Sequence, residues 1–215
     1  LLLNSADAHP FAYLTLGQRA MVASVGRVVC IGAAASLRDD LRPGDLLLVS
    51  SAAAVPYPAL YESRPPRWQE ETGEAGKTEW YRATAQSLEF GRELISRVAS
   101  DLWQREMPEG CAGYARHPAW QGGLMPWAPE QLAQLRDAGL DTISEVTVGA
   151  LEFAAGNPDV PVTGFNLVTG RAEELLEAAG GRKLQTEWDR QRRTLLYPAV
   201  RLVVELLRDS RNLSL

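Results

Sequence analysis

The residues best suited to chemistry in this chain of 215 amino acids follow apolar, strand-like runs. Glu145 and Thr147 stand in a stretch that is otherwise apolar, and Thr169 and Arg171 end the last of these runs. A carboxylate accepts hydrogen bonds from hydroxyl groups, a threonine hydroxyl both donates and accepts, and an arginine binds anions. These residue types predict a site for a small ligand that carries hydroxyl or anionic groups.

The chain offers no recognisable set of metal ligands. Its two cysteines, Cys30 and Cys111, form no CxxC motif, and its two histidines, His9 and His117, are far apart in sequence. We therefore predict no zinc or other metal site. Cys30 lies inside an apolar run, where a buried free thiol is expected. This use of cysteine fits a reducing compartment, and we expect a cytoplasmic protein.

Each candidate residue also has a purely structural interpretation. Glu145 is either an acceptor for ligand hydroxyls or a surface carboxylate paired with an arginine, and the cost of an unpaired buried carboxylate favours the first. Thr147 is either a ligand contact or a β-branched strand residue. For Arg171 we favour a solvated arginine at the start of a helix, because exposed arginines are common.

Other aromatic and polar residues carry weaker signals. Trp120 and Trp127 lie in a loop rich in glycine and proline. There an indole ring either stacks on a planar ligand or anchors the loop or an oligomer contact. His117 is predicted to be a loop histidine rather than a base, and Asp39 and Asp40 are predicted to lie in a turn.

Apolar runs bounded by turn signals predict the strands, and a 3.6-residue periodicity predicts the helices. The predicted strands are Arg27–Gly32, Leu46–Val49, Cys111–Ala115 and Val160–Thr169, with Asp141–Val148 as a short strand or a strand-to-helix turn. The predicted helices are Gln18–Val25, Thr78–Trp103, Pro129–Ala138, Gly149–Ala155, Ala172–Ala179 and Thr186–Arg208, the last interrupted at Pro198. A loop is predicted over Pro56–Gly76, either as a plain surface loop, which we favour, or as a lid or oligomer contact.

Strands that alternate with helices predict a single α/β domain over residues 1–215, with helices on both faces of a sheet. Ligands of such sheets bind where the carboxyl ends of the strands meet the loops. The segments expected there are Gly32–Leu37, Glu145–Gly149 and Thr169–Arg171. The small residues Ala33 and Ala34 either let a ligand approach the backbone or allow close packing of strand and helix, and the sequence does not separate the two.

Charge and hydropathy narrow the class of partner. The formal charge is −5, from 22 basic and 27 acidic residues, which gives no basic field for nucleic acid. No run of about 18 apolar residues is present, so we predict no membrane span. A small molecule is therefore the expected partner.

The same segments resemble the trimeric type of the purine nucleoside phosphorylase family. Residues 32–49, GAAASLRDDLRPGDLLLV, are similar to the family's small-residue turn that leads to GD and an apolar strand. Residues 139–150, GLDTISEVTVGA, resemble G-A-D-x-x-x-M-S-T-V-P-E, and residues 164–171, GFNLVTGR, resemble G-F-S-L-I-T-N-K. The resemblance covers residues 9 to 208 and implies a three-layer α/β fold with a mixed central sheet flanked by helices.

The resemblance also implies site residues. It places Glu145 at the methionine under the ribose, Val146 at a phosphate-binding serine and Thr147 at the family's threonine, where it would bind phosphate. The asparagine that contacts the purine falls on Gly170, after Thr169 at the end of the last strand.

Two further positions follow from the resemblance nearer the ends of the chain. The base-binding glutamate falls on or near Trp127, with Glu130 as the nearest carboxylate. His9 and Tyr13 are similar to part of an Arg-x-His-x-Tyr segment, which makes His9 a candidate phosphate ligand. The family's upstream phosphate loop is not found, and we expect this of a chain that lacks the family's N-terminal strands.

The implied activity is phosphate-dependent cleavage of a nucleoside's N-glycosidic bond, with phosphate as co-substrate, no cofactor and a homotrimeric assembly. Two departures leave alternatives open. Val146 cannot donate a hydrogen bond, and Gly170 has no side chain to contact a base. A nucleosidase that uses water would explain the first departure. A catalytically inactive relative that binds nucleosides or builds an oligomer would explain both.

Overall fold

A computed structural model describes residues 26–56, 78–102, 108–116, 123–124, 129–174 and 197–208 of the chain. The strands are Val28–Ser36 (β1), Leu46–Pro56 (β2), Glu79–Arg82 (β3), Glu109–Arg116 (β4), Gly123–Leu124 (β5), Thr142–Ile143 (β6) and Val162–Arg171 (β7). The helices are Ala85–Leu102 (α1), Pro129–Asp137 (α2), Glu145–Gly156 (α3) and 197–208 (α4). The helix predicted over Gln18–Val25 and nearly all of the loop predicted over Pro56–Gly76 lie outside these residues.

The strands form a seven-stranded mixed sheet in the order β3-β2-β7-β1-β6-β4-β5. Strand β2 pairs with two strands: Leu46–Val49 run antiparallel to β7, and residues 48–56 run parallel to β4. Because β4 also pairs with β6, and β6 with β1, the strands β2, β7, β1, β6 and β4 close into a ring. The predicted α/β fold with a mixed central sheet is confirmed.

Helices cover the sheet on both sides because alternate strand residues are apolar. Helix α3 packs with Val148, Leu151 and Phe153 against one face of the sheet. Helices α1 and α4 pack against Phe165 and other apolar residues on the opposite face, and Leu202 comes from α4. Helix α2 covers the ends of β1 and β2.

The helix ends follow ordinary capping chemistry. Helix α2 begins at Pro129, which needs no hydrogen-bonded N–H there, and it is followed by Gly139 with a φ of 86°. Helix α3 ends where the Asn157 side chain donates to the Phe153 carbonyl at 2.8 Å. Both stops were predicted from the sequence.

Several boundaries were predicted wrongly. Strands β1 and β2 continue to Ser36 and Pro56, beyond their predicted ends at Gly32 and Val49. Thr78–Trp103 is not one helix, since Glu79–Arg82 form the edge strand β3, antiparallel to β2. Local periodicity does not reveal this pairing, because the partner residues are about 30 positions earlier in the chain. Helix α3 starts at Glu145 rather than at Gly149. The stretch Asp141–Val148, predicted as a short strand or a strand-to-helix turn, therefore contains the short strand β6 and the first turn of α3.

Candidate functional site

The carboxyl ends of β1 and β7 lie side by side in the sheet. The two strands are parallel neighbours, with Ala33 opposite Leu167. Val29 and Ile31 lie on the same face of β1 as Ala33 and pack with the core formed by α1 and α4, whereas Ala33 is exposed. The exposed alanine therefore lies where small ligands of such sheets bind, and we refer to this place at the carboxyl ends of β1 and β7 as the crevice.

A β-bulge shapes the rim of this crevice. Val168 lies opposite Ala34 and Gly170 opposite Ala35, so Thr169 is an extra residue in β7. Its hydroxyl donates to the Ala34 carbonyl at 3.1 Å, which leaves the oxygen free only to accept. Since bulges bend a strand and redirect its side chains, the rim is set by the backbone at this point. Gly170 therefore lies opposite the buried Ala35, two residues along β1 from the exposed Ala33.

Glu174 lies in the space next to Gly170. Among the described residues, a Cβ added to Gly170 would meet one atom within 4 Å, Glu174 Oε2 at 3.3 Å. The same oxygen accepts a hydrogen bond from the Arg171 backbone N–H at 3.1 Å. Glu174 is exposed, and its carboxylate forms no ion pair with any of the described residues. The rim therefore carries a carboxylate although position 170 carries no side chain.

The arginine at the rim is occupied by acidic partners. Arg171 pairs with Asp39 and lies 3.7 Å from Glu173, which also pairs with Arg136. Arg136 further donates to the Leu37 carbonyl at 2.8 Å. The side chain of Arg171 is 40% exposed, in keeping with its prediction as a largely solvated arginine. Its charge is balanced locally, so it is poorly placed to bind an added anion.

The predicted acidic turn after β1 is part of this network. Asp39 and Asp40 lie in a bend, and Asp40 pairs with Arg38 at 2.6 Å. Arg38 also lies 3.7 Å from Asp141. Because each carboxylate has its own arginine, the two aspartates do not form an acid–base dyad.

The start of α3 holds three of the residues predicted to bind substrate. Glu145 and Val146 are partly exposed, whereas Thr147 is completely buried. The Val146 carbonyl lies 3.8 Å from Cys30 Sγ, which donates weakly to it. Thr147 packs toward Gly32 and Gly164 of the neighbouring strands, on the face opposite to the exposed side of Ala33. Glu145 and Thr147 thus do not share one exposed surface.

A buried polar cluster of Ser144, Thr147 and Asn166 surrounds Gly32. Ser144 Oγ, Thr147 Oγ1 and Asn166 Oδ1 are buried and have no hydrogen-bond partner within the described part of the chain. A Cβ on Gly32 would stand 2.8 Å from the Ser144 oxygen and 3.3 Å from the Asn166 oxygen. The Asn166 amide donates instead to Thr142 Oγ1 at 2.8 Å. Such unpartnered groups are rare in proteins and mark a functional or strained place.

Ser144 and Asn166 were missed by the sequence analysis. An asparagine within the apolar run of β7 was the available signal, because a buried amide is costly unless it is paired. Ser144 precedes the first residue of α3 and is a preferred capping residue, yet its side chain makes no capping hydrogen bond. Its hydroxyl is directed to the polar cluster instead.

We expect Ser144→Ala to leave the free energy of unfolding unchanged or to raise it by about 1 kcal/mol. The lost hydroxyl has no partner among the residues that the structure describes, so we expect that only the cost of burying it is removed. Urea denaturation measures the effect. Thr142→Val is the matched control, because it leaves the Asn166 amide unpaired and should lower stability by about 1–3 kcal/mol. A larger loss for Ser144→Ala than for Thr142→Val would contradict the assignment.

Cys30 is a free thiol, as expected, but the residue is only partly buried, as judged by its exposed surface. Burial of the thiol raises its pKa to about 12. The folded protein thus favours the neutral thiol, and the unfolded chain loses its proton from about pH 9 upward. The resulting stability is complete below pH 9 and is lost as pH rises toward 12. Between about pH 9 and pH 12, the free energy of unfolding of the wild type should therefore fall relative to that of Cys30→Ala. The expected change is up to about 1.4 kcal/mol per pH unit. Paired urea titrations at pH 8 and 10 measure it, and a constant difference would refute it.

The structure brings together only part of the predicted site. Ala33, Thr169 and Gly170 meet at the crevice, Ala34 is buried beside them, and Glu145 and Val146 lie at the start of α3. His9, Trp127 and the weaker candidates His117 and Trp120 lie outside the described residues. Within the described ranges, no group of three or more histidine, cysteine or acidic side chains is arranged to hold a metal ion. None of the helices seen there is long and apolar enough to span a membrane.

Comparison with solved structures identifies the class of fold. A 5′-methylthioadenosine nucleosidase mutant from Helicobacter pylori, with 5′-methylthioadenosine in its active site, superposes with a TM-score of 0.65 over 94% of this chain and 77% of its own, at 13% identity. Futalosine hydrolase of the same organism gives a TM-score of 0.64 over 94% and 76% of the two chains, at 13% identity. A methylthioadenosine/S-adenosylhomocysteine nucleosidase of S. pneumoniae gives 0.64 over 96% and 79%, at 10% identity.

The fold is therefore that of the nucleoside phosphorylases and nucleosidases. Within that class these solved structures are nucleosidases and a hydrolase, so the trimeric phosphorylase type predicted from the sequence is not specifically supported. No family model matches the chain, and no curated protein matches it in sequence. At these low identities the likeness establishes the fold alone.

Proposed function

We propose that this protein is a nucleosidase that hydrolyses the N-glycosidic bond of a small nucleoside. The observation that carries the proposal is the crevice, with the exposed Ala33 and the Gly170–Glu174 rim. It lies at the carboxyl ends of β1 and β7, the end of the strands at which α/β sheets bind their ligands. The similar solved structures include a nucleosidase with its nucleoside in the active site.

Water is favoured over phosphate as the acceptor of the sugar. A phosphate dianion is usually held by arginine or lysine side chains and by several hydrogen-bond donors. Arg171, at the rim, is paired with Asp39 and Glu173, and Val146 has no donor at the predicted phosphate position. Thr147, the predicted phosphate ligand, is buried on the other face. Phosphorolysis, the first expectation from the sequence, is therefore the less supported activity.

Hydrolysis of an N-glycosidic bond requires few protein side chains. The C1′–N bond breaks with development of positive charge on the sugar, and the oxygen of water then bonds to C1′. A nearby carboxylate stabilises that positive charge. Glu145, partly exposed at the start of α3, remains the residue predicted to accept hydrogen bonds from the ribose hydroxyls.

A second candidate is nucleoside binding without turnover. Gly170 stands where the resemblance expects a side chain that contacts the base, and a glycine cannot replace that contact. This candidate keeps the same crevice and ligand and differs in chemistry alone. In either case we expect an assembly of several copies, with a homotrimer as the expectation from the resemblance, and a cytoplasmic protein.

The decisive experiment measures release of free base in phosphate-free buffer. The panel contains adenosine, inosine, 5′-methylthioadenosine and futalosine, with calorimetry of the same compounds. We expect base release from at least one of them at a rate that added phosphate does not change. Release that requires phosphate would identify a phosphorylase. Binding without release would identify the second candidate, and neither binding nor release would refute both.

We expect Ala33→Trp to abolish both binding and release. The substitution fills the crevice at position 33, and because Ala33 is exposed the larger side chain should not disturb the core. Ala133→Trp is the matched control, since Ala133 is exposed on α2 and has no place in the crevice. A fully active Ala33→Trp variant would place the ligand elsewhere.

A further inference from the structure

Hydrolysis of a nucleoside needs a proton as well as water, and this requirement rests on the proposed function. When the C1′–N bond breaks, its electron pair stays on the base nitrogen, which becomes a good leaving group only if a proton reaches it. Gly170, at the rim, has no side chain to deliver one. The source of the proton must be another group at the crevice.

Most of the carboxylates around the rim are held by arginines. Asp39 pairs with Arg171, and Asp141 lies near Arg38. Burial pushes the pKa of Glu173 upward, but the hydrogen bond from Arg136 and the nearby positive charges bring it below its ordinary value. These three carboxylates are engaged by arginine side chains, so they are poorly placed to approach a bound base.

Glu174 differs from these carboxylates in its partners. Its one described hydrogen bond comes from the backbone N–H of Arg171 to Oε2, so its other oxygen has no described partner. It is exposed, and Oε2 lies 3.3 Å from the point where a Cβ of Gly170 would stand. The carboxyl group thus occupies the space that a side chain at position 170 would fill.

We propose that Glu174 is the catalytic acid of this site and that Gly170 makes room for it. The Glu174 carboxyl gives its proton to the base nitrogen as the C1′–N bond breaks. The water that bonds to C1′ then loses a proton to the Glu174 carboxylate, which restores the acid. The net reaction adds one water: the sugar gains a hydroxyl group and the base leaves with a hydrogen.

The first test compares two leaving groups in Glu174→Gln. We expect kcat on the natural nucleoside to fall about 10²–10⁴-fold, because the proton donor is lost. On p-nitrophenyl riboside, whose phenolate leaves without a proton, kcat should stay within about 3-fold of wild type. Glu89→Gln is the matched control, an exposed glutamate on α1 away from the crevice, and should leave both rates unchanged.

The second test restores a carboxyl group from the other position. In Glu174→Gln, the additional substitution Gly170→Asp puts a carboxyl group into the same space, and its Cβ meets only the end of the flexible side chain at 174. We expect kcat on the nucleoside to recover at least about 10-fold. Gly170→Ala in the same background adds bulk without a carboxyl and should recover nothing.

The outcomes separate this inference from the proposed function. Wild-type turnover with an unaffected Glu174→Gln variant would overturn the role of Glu174 and leave the nucleosidase standing. Equal losses on both leaving groups would mark Glu174 as a structural or binding residue and also overturn it. If the wild type releases no base, the acid and the nucleosidase are both refuted. Selective loss with rescue by Gly170→Asp establishes the assignment.

Discussion

Phe165→Ala lowers the free energy of unfolding by about 3–5 kcal/mol, the largest effect that we expect from a single substitution. Phe165 is completely buried in β7 and packs in the core shared with α1 and α4. Alanine removes the ring's apolar contacts and leaves a cavity that rigid strands on both sides cannot close. Because β7 also carries Gly170, the variant should stop binding its ligand at the urea concentration where it unfolds. Urea denaturation followed by circular dichroism measures the change.

Trp80→Ala is the control for this prediction. Trp80 is also an aromatic residue on a strand, but it is 44% exposed on the edge strand β3. We expect its replacement to cost no more than about 1 kcal/mol, because only part of the ring leaves an apolar environment. Similar costs for the two variants would mean that the core is not where the structure places it.

Gly113→Ala lowers stability by about 1–3 kcal/mol or more, although it adds a single methyl group. The added Cβ would overlap Leu140 and stand 2.9 Å from the backbone carbonyl oxygen of Ala53. A side chain can turn aside, but the Ala53 oxygen belongs to the neighbouring strand and can move only with it. The Gly113 carbonyl also accepts the Ser144 N–H at 2.9 Å, so the strain reaches the start of α3.

Gly26→Ala is the matched control, since a Cβ there meets no described atom within 4 Å. We expect it to change stability by less than about 0.5 kcal/mol. The comparison uses equilibrium unfolding of both variants under one set of conditions. If Gly113→Ala proved as mild as Gly26→Ala, the close approach of β4 to β2 and to Leu140 would be wrong.

Local sequence patterns predicted the elements whose residues are apolar in a regular order. The runs that form β1, β2, β4 and β7 were predicted because β-branched and small apolar residues sit between turn signals. Helix α2 was predicted to within a residue of its end from Pro129 and Gly139. The edge strand β3 was missed because its partners lie far back in the chain, at Ser51–Ala54.

The position of the crevice was also predictable in part. The rule that ligands bind at the carboxyl ends of strands selected the segments with Ala33, Thr169 and Gly170, and these meet in the structure. The exposure of Ala33 depends on where helices α1 and α4 end over the sheet. No local sequence pattern predicts those positions. Thr147 was predicted to contact a ligand, but its side chain is buried. Its direction is set by the start of α3 at Glu145, which the sequence analysis placed too late.

Glu174 was hidden from sequence analysis for a related reason. It lay inside a segment predicted as an acidic helix, where adjacent glutamates look alike. What distinguishes Glu174 from Glu173 is its partner: Glu173 binds Arg136, from a distant part of the chain, and Glu174 turns back to Gly170. Such contacts are set by tertiary packing and not by spacing.

The double pairing of β2 bears on how the chain can fold during synthesis. One end of β2 is joined to β7, whose residues come more than 100 positions later, and the other end to β4. The ring of strands therefore cannot close until Val162–Arg171 have left the ribosome. Until then β2 and β1 each have an open edge with unpaired backbone groups, which invites pairing with other chains. We expect chains truncated before β7 to aggregate rather than to persist as a folded core.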